Sequence, residues 1–344
     1  MTSRRAVVFT ALAVLLAGGV LASAALGQLP ISPAEVLGTA LRGLGIDTPW
    51  APSDRLVEQT LAQIRFPRIA MSLLVGALLA VAGAVMQAVF GNPLAEPGVV
   101  GVSSGAAVGA AAAITFGASA LGGWSVAVAA FVGGFLATLV VYTTARSRGR
   151  TEVVTLLLTG IAVNAFCGAV LAFVLFAGHT SSREQIVFWQ LGSLNGSRWL
   201  DVLVVAAVGL PSAAIALGLS RRYDLLSLGE RTAGHLGVRV ESLRIVSVVV
   251  VALLTGVAVA FAGIIAFVGL VAPHVVRMLL GPGHRALLAG SLLAGGTLLV
   301  WADLVARTAV PAADLPIGML TSLIGGPFFY WLIRRNRAKA GGWA

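Results

Sequence analysis

Few residues in this chain could do chemistry, and their types and spacing say which chemistry is missing. Lys339 is the only lysine in 344 residues, and Ala340 follows it. A phosphate-cradling Walker A loop needs Gly-Lys followed by Ser or Thr, so the chain cannot hydrolyse ATP by that route. The four histidines, His179, His235, His274 and His284, nowhere pair at i, i+4 with another ligand type, and no metal site is expected. Cys167, the only cysteine, can form neither an intrachain disulfide nor a thiolate metal site. Inside its apolar run it reads as a small packing residue. No His-Glu-x-x-His or pair of acids lies within an apolar run, which leaves a membrane hydrolase without a catalytic set.

The remaining polar groups have two readings each. Asp303 and Arg307 stand at i, i+4 and form either a helix-stabilising pair at an interface or part of a docking surface. Asn164, on a run that also holds Thr159, Gly160 and Gly168, makes an interhelical hydrogen bond or lines a pathway together with Thr159. Gly101, Gly105 and Gly109 repeat every four residues, a spacing that lets helices approach closely.

The elements that must position these groups are membrane helices. Apolar residues make up 58% of the chain and charged residues 10%, where a soluble domain averages about 25% charged. A span needs roughly 20 mostly apolar residues. Such runs fall near 6–27, 69–90, 98–117, 122–145, 153–178, 200–219, 245–262, 263–280, 286–307 and 315–333. The expected fold is all-α: a polytopic bundle of about ten transmembrane helices, with residues 1–344 as one domain.

One count is ambiguous. No charged residue lies between Arg244 and Arg277, and Gly263, Gly269 and Pro273 are candidates to break that stretch into a full span and a short return. Charge decides. Ten spans place 16 of the 23 basic residues on the side of the N-terminus, and nine spans place 11 there. The positive-inside rule favours ten, with both termini cytoplasmic. The net charge of +10 is therefore topogenic, and no nucleic-acid motif accompanies it. Arg4-Arg5 with Ala22-Ser23-Ala24 resembles a signal peptide, but the run between them is long enough to span and is expected to be retained.

Two short surface helices are also predicted. Ser32-Pro33-Ala34-Glu35 is a capping box that opens an amphipathic helix on the outer face, and Ser227-Leu228-Gly229-Glu230 is another, opening an inner helix over about 228–237 with Gly237 at its end.

The sequence becomes specific in its motifs. Arg65-Phe66-Pro67-Arg68, Gly83-Ala84-Val85-Met86-Gln87, Gly91-Asn92-Pro93-Leu94-Ala95-Glu96-Pro97-Gly98, Gly101-Val102-Ser103-Ser104-Gly105, Trp189-Gln190-Leu191-Gly192-Ser193-Leu194, Gly269-Leu270-Val271-Ala272-Pro273-His274, Ala302-Asp303-Leu304-Val305-Ala306-Arg307 and Asp314-Leu315-Pro316-Ile317-Gly318 follow in order. Together they resemble the FecCD/BtuC-like permeases, the membrane subunits of type II ABC importers for iron–siderophores, haem and vitamin B12.

That resemblance implies a bacterial cell-membrane permease that is not itself an enzyme. It would work as two copies, with two ABC ATPase subunits that carry ATP and Mg, and with an extracytoplasmic substrate-binding protein. No cofactor is implied on this chain, and haem or another iron chelate would be cargo. The resemblance assigns Glu230, Ala233 and Gly237 to ATPase coupling, Arg65, Arg68 and Arg307 to binding-protein docking, and Asn92 and Leu94 to a cytoplasmic gate. Ser182–Trp189 and Leu194–Trp199 look most similar to haem permeases, and His179 lies outside where a haem could meet it. A cobalamin permease or an ion-coupled secondary carrier are the alternatives.

Overall fold

A computed structural model describes residues 2–117, 122–147, 150–310 and 313–339. Its first element, α1 (Thr2–Ala25), leads to the surface helix α2 (Pro33–Gly43) and the short α3 (Arg55–Gln59). A π-helical turn (Thr60–Arg65) then runs without a break into α4 (Phe66–Phe90). Helices α5 (Val102–Phe116), α6 (Ser125–Ala145) and α7 (Val153–Ala177) follow, with a two-residue hairpin, β1 (Arg146–Ser147) and β2 (Arg150–Thr151), between α6 and α7. Next come α8 (Thr180–Gln190), α9 (Trp199–Gly218), α10 (Ser220–Leu226), α11 (Glu230–His235), α12 (Val240–Ala262), α13 (Val268–Leu280), α14 (His284–Thr308) and α15 (Ile317–Lys339).

Among the described residues, seven helical stretches are long and apolar enough to cross a membrane, and α5 and α13 are shorter apolar helices. With α15 the apolar segments number ten.

Helix α4 is the axis of the bundle. It is apolar all round, and nearly every residue from Ile69 to Val89 is buried, as a helix without a polar face requires. Glycine sets its neighbours' distance. A Cβ at Gly76 would stand 2.2 Å from the Gly295 carbonyl oxygen of α14, and one at Gly83 would stand 1.7 Å from that of Gly269 in α13. The Gly105 and Gly109 positions similarly let α5 touch the backbone of α6 at Gly133 and Ala129. Gly101 instead takes a left-handed conformation (φ 84°) just before α5.

Two boundaries differ from expectation. The second apolar segment is helical from Arg55, not from 69. Pro67 does not stop it, because the wider π turn shifts the pairing by one residue: Phe66 N–H bonds to Leu61 O. The next carbonyl, Ala62 O, would need the N–H that Pro67 lacks, and Trp199 Nε1 donates to it instead at 2.8 Å.

The long uncharged stretch breaks at 263–267, and of the three candidate breakers only Gly263 acts there, with φ 69° and ψ −166°. Gly269 and Pro273 lie inside α13; Gly269 serves the close approach to α4. The broken backbone is satisfied by protein, as it must be at membrane depth. Gly263 N donates to Val259 O and Ser193 N to Ala262 O, each at 2.9 Å, and Phe267 N donates to Glu96 Oε1 at 3.3 Å.

Candidate functional site

The charged residues gather at the two ends of the bundle. Helix α14 separates them: its first residue, His284, belongs to one end and Arg307 to the other, about 35 Å apart at 1.5 Å per residue.

At the Arg307 end the structure brings Arg65, Arg68 and Arg307 together around a cavity of about 500 Å³ that also holds Asp303, Asp314 and Asn195. Most of their donors are already engaged, the buried Arg307 Nε–H being without a hydrogen-bond partner. Arg65 is buried and donates to Ala24 O, Ala25 O and Leu29 O, and Arg307 donates to Ser23 O, Ser23 Oγ and Leu26 O. Ser23 O, Ala24 O and Ala25 O belong to the last turn of α1, where carbonyls lack helical partners, and Leu26 O and Leu29 O to the loop just after it; cations suit the negative end of a helix dipole. Arg68 holds Asp303 through Nε at 3.0 and 3.1 Å and reaches Asp314 through Nη1 at 2.7 Å. Asp303 lies 3.7 Å from Arg307, so the i, i+4 pair exists but is secondary to the pairing with Arg68.

At the opposite end, α10 and α11 form a surface unit. The expected 228–237 helix is shorter than predicted, and Ser227 does not cap it. Helix α10 continues to Leu226, so Ser227 closes that helix, its Oγ donating to Asp224 O at 2.6 Å. Gly229, with φ 99°, then starts α11. Glu230 turns away from Ser227 and pairs with Arg244 of α12. Ala233 is fully buried under α11, while Leu228 and Leu236 stand exposed on either side of it. Gly237 follows with φ 86° and open space around its Cα.

The unit is fixed from below. Asp224 Oδ1 accepts from His284 N at 2.8 Å and meets His284 Nδ1 at 2.8 Å. Tyr223 is buried against Ser247, 2.9 Å away, and burial pushes its phenol up to about 12, with the Ser247 hydrogen bond opposing the shift.

Asn92 and Leu94 lie in the loop after α4, at this same end. Asn92 Oδ1 accepts from Leu94 N at 2.9 Å, an Asx turn that holds the loop's shape. Glu96, two residues on, accepts from the N–H of Phe267 at 3.3 Å. Phe267 is the single non-glycine residue with positive φ (67°) among the described residues, at the start of α13. Burial pushes the Glu96 carboxyl up, and the Phe267 N–H partly offsets this. Asn164 receives Ser104 Oγ at 2.5 Å and donates to Gly98 O at 3.2 Å, pinning α7 to the start of α5. Thr159 is half-buried one turn away on α7. His179 is an exposed residue just before α8.

The profile of the FecCD transport family matches residues 14–335. The chain belongs to this family. It is 41% identical to the cobalamin import system permease protein BtuC of Halobacterium salinarum, over 98% of this chain and 99% of that one. It is 42% identical to the hemin transport system permease protein HmuU of Yersinia pestis, over 81% and 84%. Among solved structures, it superposes on a metal-chelate type ABC transporter in an inward-facing conformation with a TM-score of 0.83 and 33% identity, covering 96% of this chain and 99% of that one. The FecCD chain is thus a multi-pass membrane permease of an ABC importer, with the type II importer fold.

Sequence reasoning missed how this FecCD chain fastens its parts. Thr151, Glu241, Arg244 and Tyr142 form a buried polar knot beside α11. Glu241 and Arg244, one turn apart where a span begins, were the available signal. Their partner Thr151 lies about 90 residues away and carried none.

Proposed function

We propose that this permease imports a metal–tetrapyrrole chelate, haem first, from a substrate-binding protein into the cytoplasm, driven by a separate ATPase. The observation that carries the reading is the α10–α11 unit: a short helix, held rigidly from below, that presents Leu228 and Leu236 to solvent. Such a helix fits an apolar groove on a partner and transmits a push better than a loop does. In this reading Glu230, Ala233 and Gly237 seat the ATPase.

The distribution of basic residues supports a cytoplasmic position for this end and for both termini. The Arg65–Arg68–Arg307 end then faces the binding protein. Acidic groups of that protein would compete with Asp314 and with main-chain carbonyls for the guanidiniums, whose paired donors suit carboxylates. Asn92 and Leu94 form the inner gate, and Asn164 and Thr159 on α7 border the pathway. The broad apolar face of α7, with Leu158, Ile161, Phe166 and Phe173 exposed, is available to a second copy of the chain.

Haem is favoured by similarity to the Yersinia haem permease and by the Ser182–Trp199 stretch. Cobalamin is the second reading, favoured by the full-length match to the archaeal cobalamin permease. Proteoliposomes holding the permease with its ATPase and binding protein should take up haem in an ATP-dependent manner. Uptake of cobalamin or a ferric siderophore instead would replace the cargo. Uptake driven by an ion gradient without any ATPase would overturn the importer mechanism.

A further inference from the structure

One buried charged side chain ties the α11 helix to the bundle. Arg244, 5% exposed in the first turns of α12, sends Nη2 to Glu230 on α11 and Nη1 to Thr151 O at 2.7 Å. Thr151 is itself buried and fully engaged. Its N–H donates to Glu241 Oε2 at 3.0 Å, and its hydroxyl donates to Glu241 Oε1 at 2.6 Å. Tyr142, near the end of α6, donates to the same carboxylate at 2.9 Å. The knot therefore joins four elements: α11 through Glu230, α12 through Glu241 and Arg244, α6 through Tyr142, and the strand that leads into α7 through Thr151. Val153 begins α7 only two residues later.

Asp224 and His284 make a second tether, which fastens α10 to α14. The two tethers are not equivalent. His284 opens a helix packed along its length against the buried α4, whereas α7 is largely exposed and packs on one side only, against α5 and α6. A displacement of α11 meets a helix locked into the core on one side and a peripheral helix on the other.

We infer that Arg244 is the positioning residue through which movement of α11 is transmitted, by way of Thr151, to the start of α7. The guanidinium suits this task because its planar fork holds Glu230 and the Thr151 carbonyl in fixed relative directions, which a lysine ammonium does not. Removing it leaves α11 seated on buried Ala233 and on the Asp224–His284 tether, so folding survives while the route to α7 is cut.

The inference rests in part on the ATPase-driven reading, and two experiments separate the claims. The first needs no ATPase. Hydrogen exchange is measured on the full chain in nanodiscs for wild type, Glu230→Gln, Arg244→Gln, Arg244→Lys and, as an exposed neighbour, Arg239→Gln. Glu230 touches no residue of the hairpin, yet Glu230→Gln should speed exchange in the 150–156 segment about tenfold, through loss of a charge-assisted bond. Arg244→Gln should do at least as much, Arg244→Lys less, and Arg239→Gln nothing. Wild-type exchange at 150–156 in Glu230→Gln would overturn the connection.

The second measures ATP hydrolysis by the permease–ATPase complex in proteoliposomes, with and without binding protein. In Arg244→Gln the stimulation by binding protein should fall toward onefold, and Arg244→Lys should recover part of it. Full stimulation in Arg244→Gln would overturn transmission even if the exchange result stands. A wild-type chain that supports no ATP-dependent uptake would sink the importer reading, and the exchange experiment would still decide the knot.

Discussion

Asp303 is 1% exposed, and its charge is tolerable there only because Arg68 supplies two donors to it. Deleting one partner of a buried pair typically costs about 3–5 kcal/mol, because the other charge is left without compensation. Arg68→Ala should therefore lower stability by about that much, read as thermal unfolding in detergent. Adding Asp303→Asn should recover most of the loss; equal destabilisation of the single and double variants would show that packing, not charge, is the issue. At this scale the sequence revealed residue types but not partners. The family resemblance assigns Arg65, Arg68 and Arg307 to binding-protein docking and says nothing of their partners within the chain. The structure commits their donors to the end of α1 and to two aspartates, because a helix end in an apolar setting needs its carbonyls paired. Nothing in local sequence announces that need.

Helices are legible where one physical demand dominates. An uninterrupted apolar run of span length has few alternatives in a membrane, and the Ser32–Glu35 capping box forms as its residues dictate, with both reciprocal bonds present. Reading fails where two elements compete for one residue: Ser227 could start α11 or end α10, and it does the latter. It fails also where a tertiary donor rescues a broken rule, as Trp199 does for the carbonyl that Pro67 leaves open.

Glycine gives the sharpest tests among the elements. Gly83→Ala would drive a methyl into the Gly269 carbonyl at 1.7 Å, a backbone contact that can yield only by separating α4 from α13. A cost at the top of the overpacking range, about 3 kcal/mol, is expected, whereas Gly168→Ala on α7 has open space and should be neutral. Gly237→Trp belongs to a third kind. Its Cβ meets nothing within 4 Å, but φ is 86°, so strain of about 1–2 kcal/mol leaves the fold intact while a bulky ring blocks the face beside α11. Uptake should be lost with wild-type membrane insertion and dimensions on gel filtration; retained uptake would remove Gly237 from the ATPase contact.

For the whole molecule, direction of transport follows from orientation, and orientation follows from charge. Arg221, Arg222, Arg231 and Arg239 all lie exposed at the α10–α11 end, and Arg4 and Arg5 at the start of α1 and Arg334 near the end of α15 join them. The opposite end balances its basic residues against acids, as in the Arg42–Glu58 and Arg198–Asp201 pairs, 3.1 Å each. Translocation of basic residues is disfavoured, and ten spans place 16 of the 23 at this end, so the α10–α11 end should remain in the cytoplasm. The chain's single cysteine makes this testable. In a Cys167→Ser background, Asp47→Cys places a thiol at a side chain 90% exposed at the Arg65 end, and His235→Cys places one on exposed α11. A membrane-impermeant maleimide should label position 47 in intact cells and position 235 only after permeabilisation. The reverse pattern would turn the permease over, put α11 out of reach of any cytoplasmic ATPase, and with that remove the argument for import. Labelling of both positions in intact cells would mean an even number of crossings between them in place of the five formed by α4, α5, α6, α7 and α9, and the 263–267 break lies outside that interval, so the error would have to sit in α4 to α9.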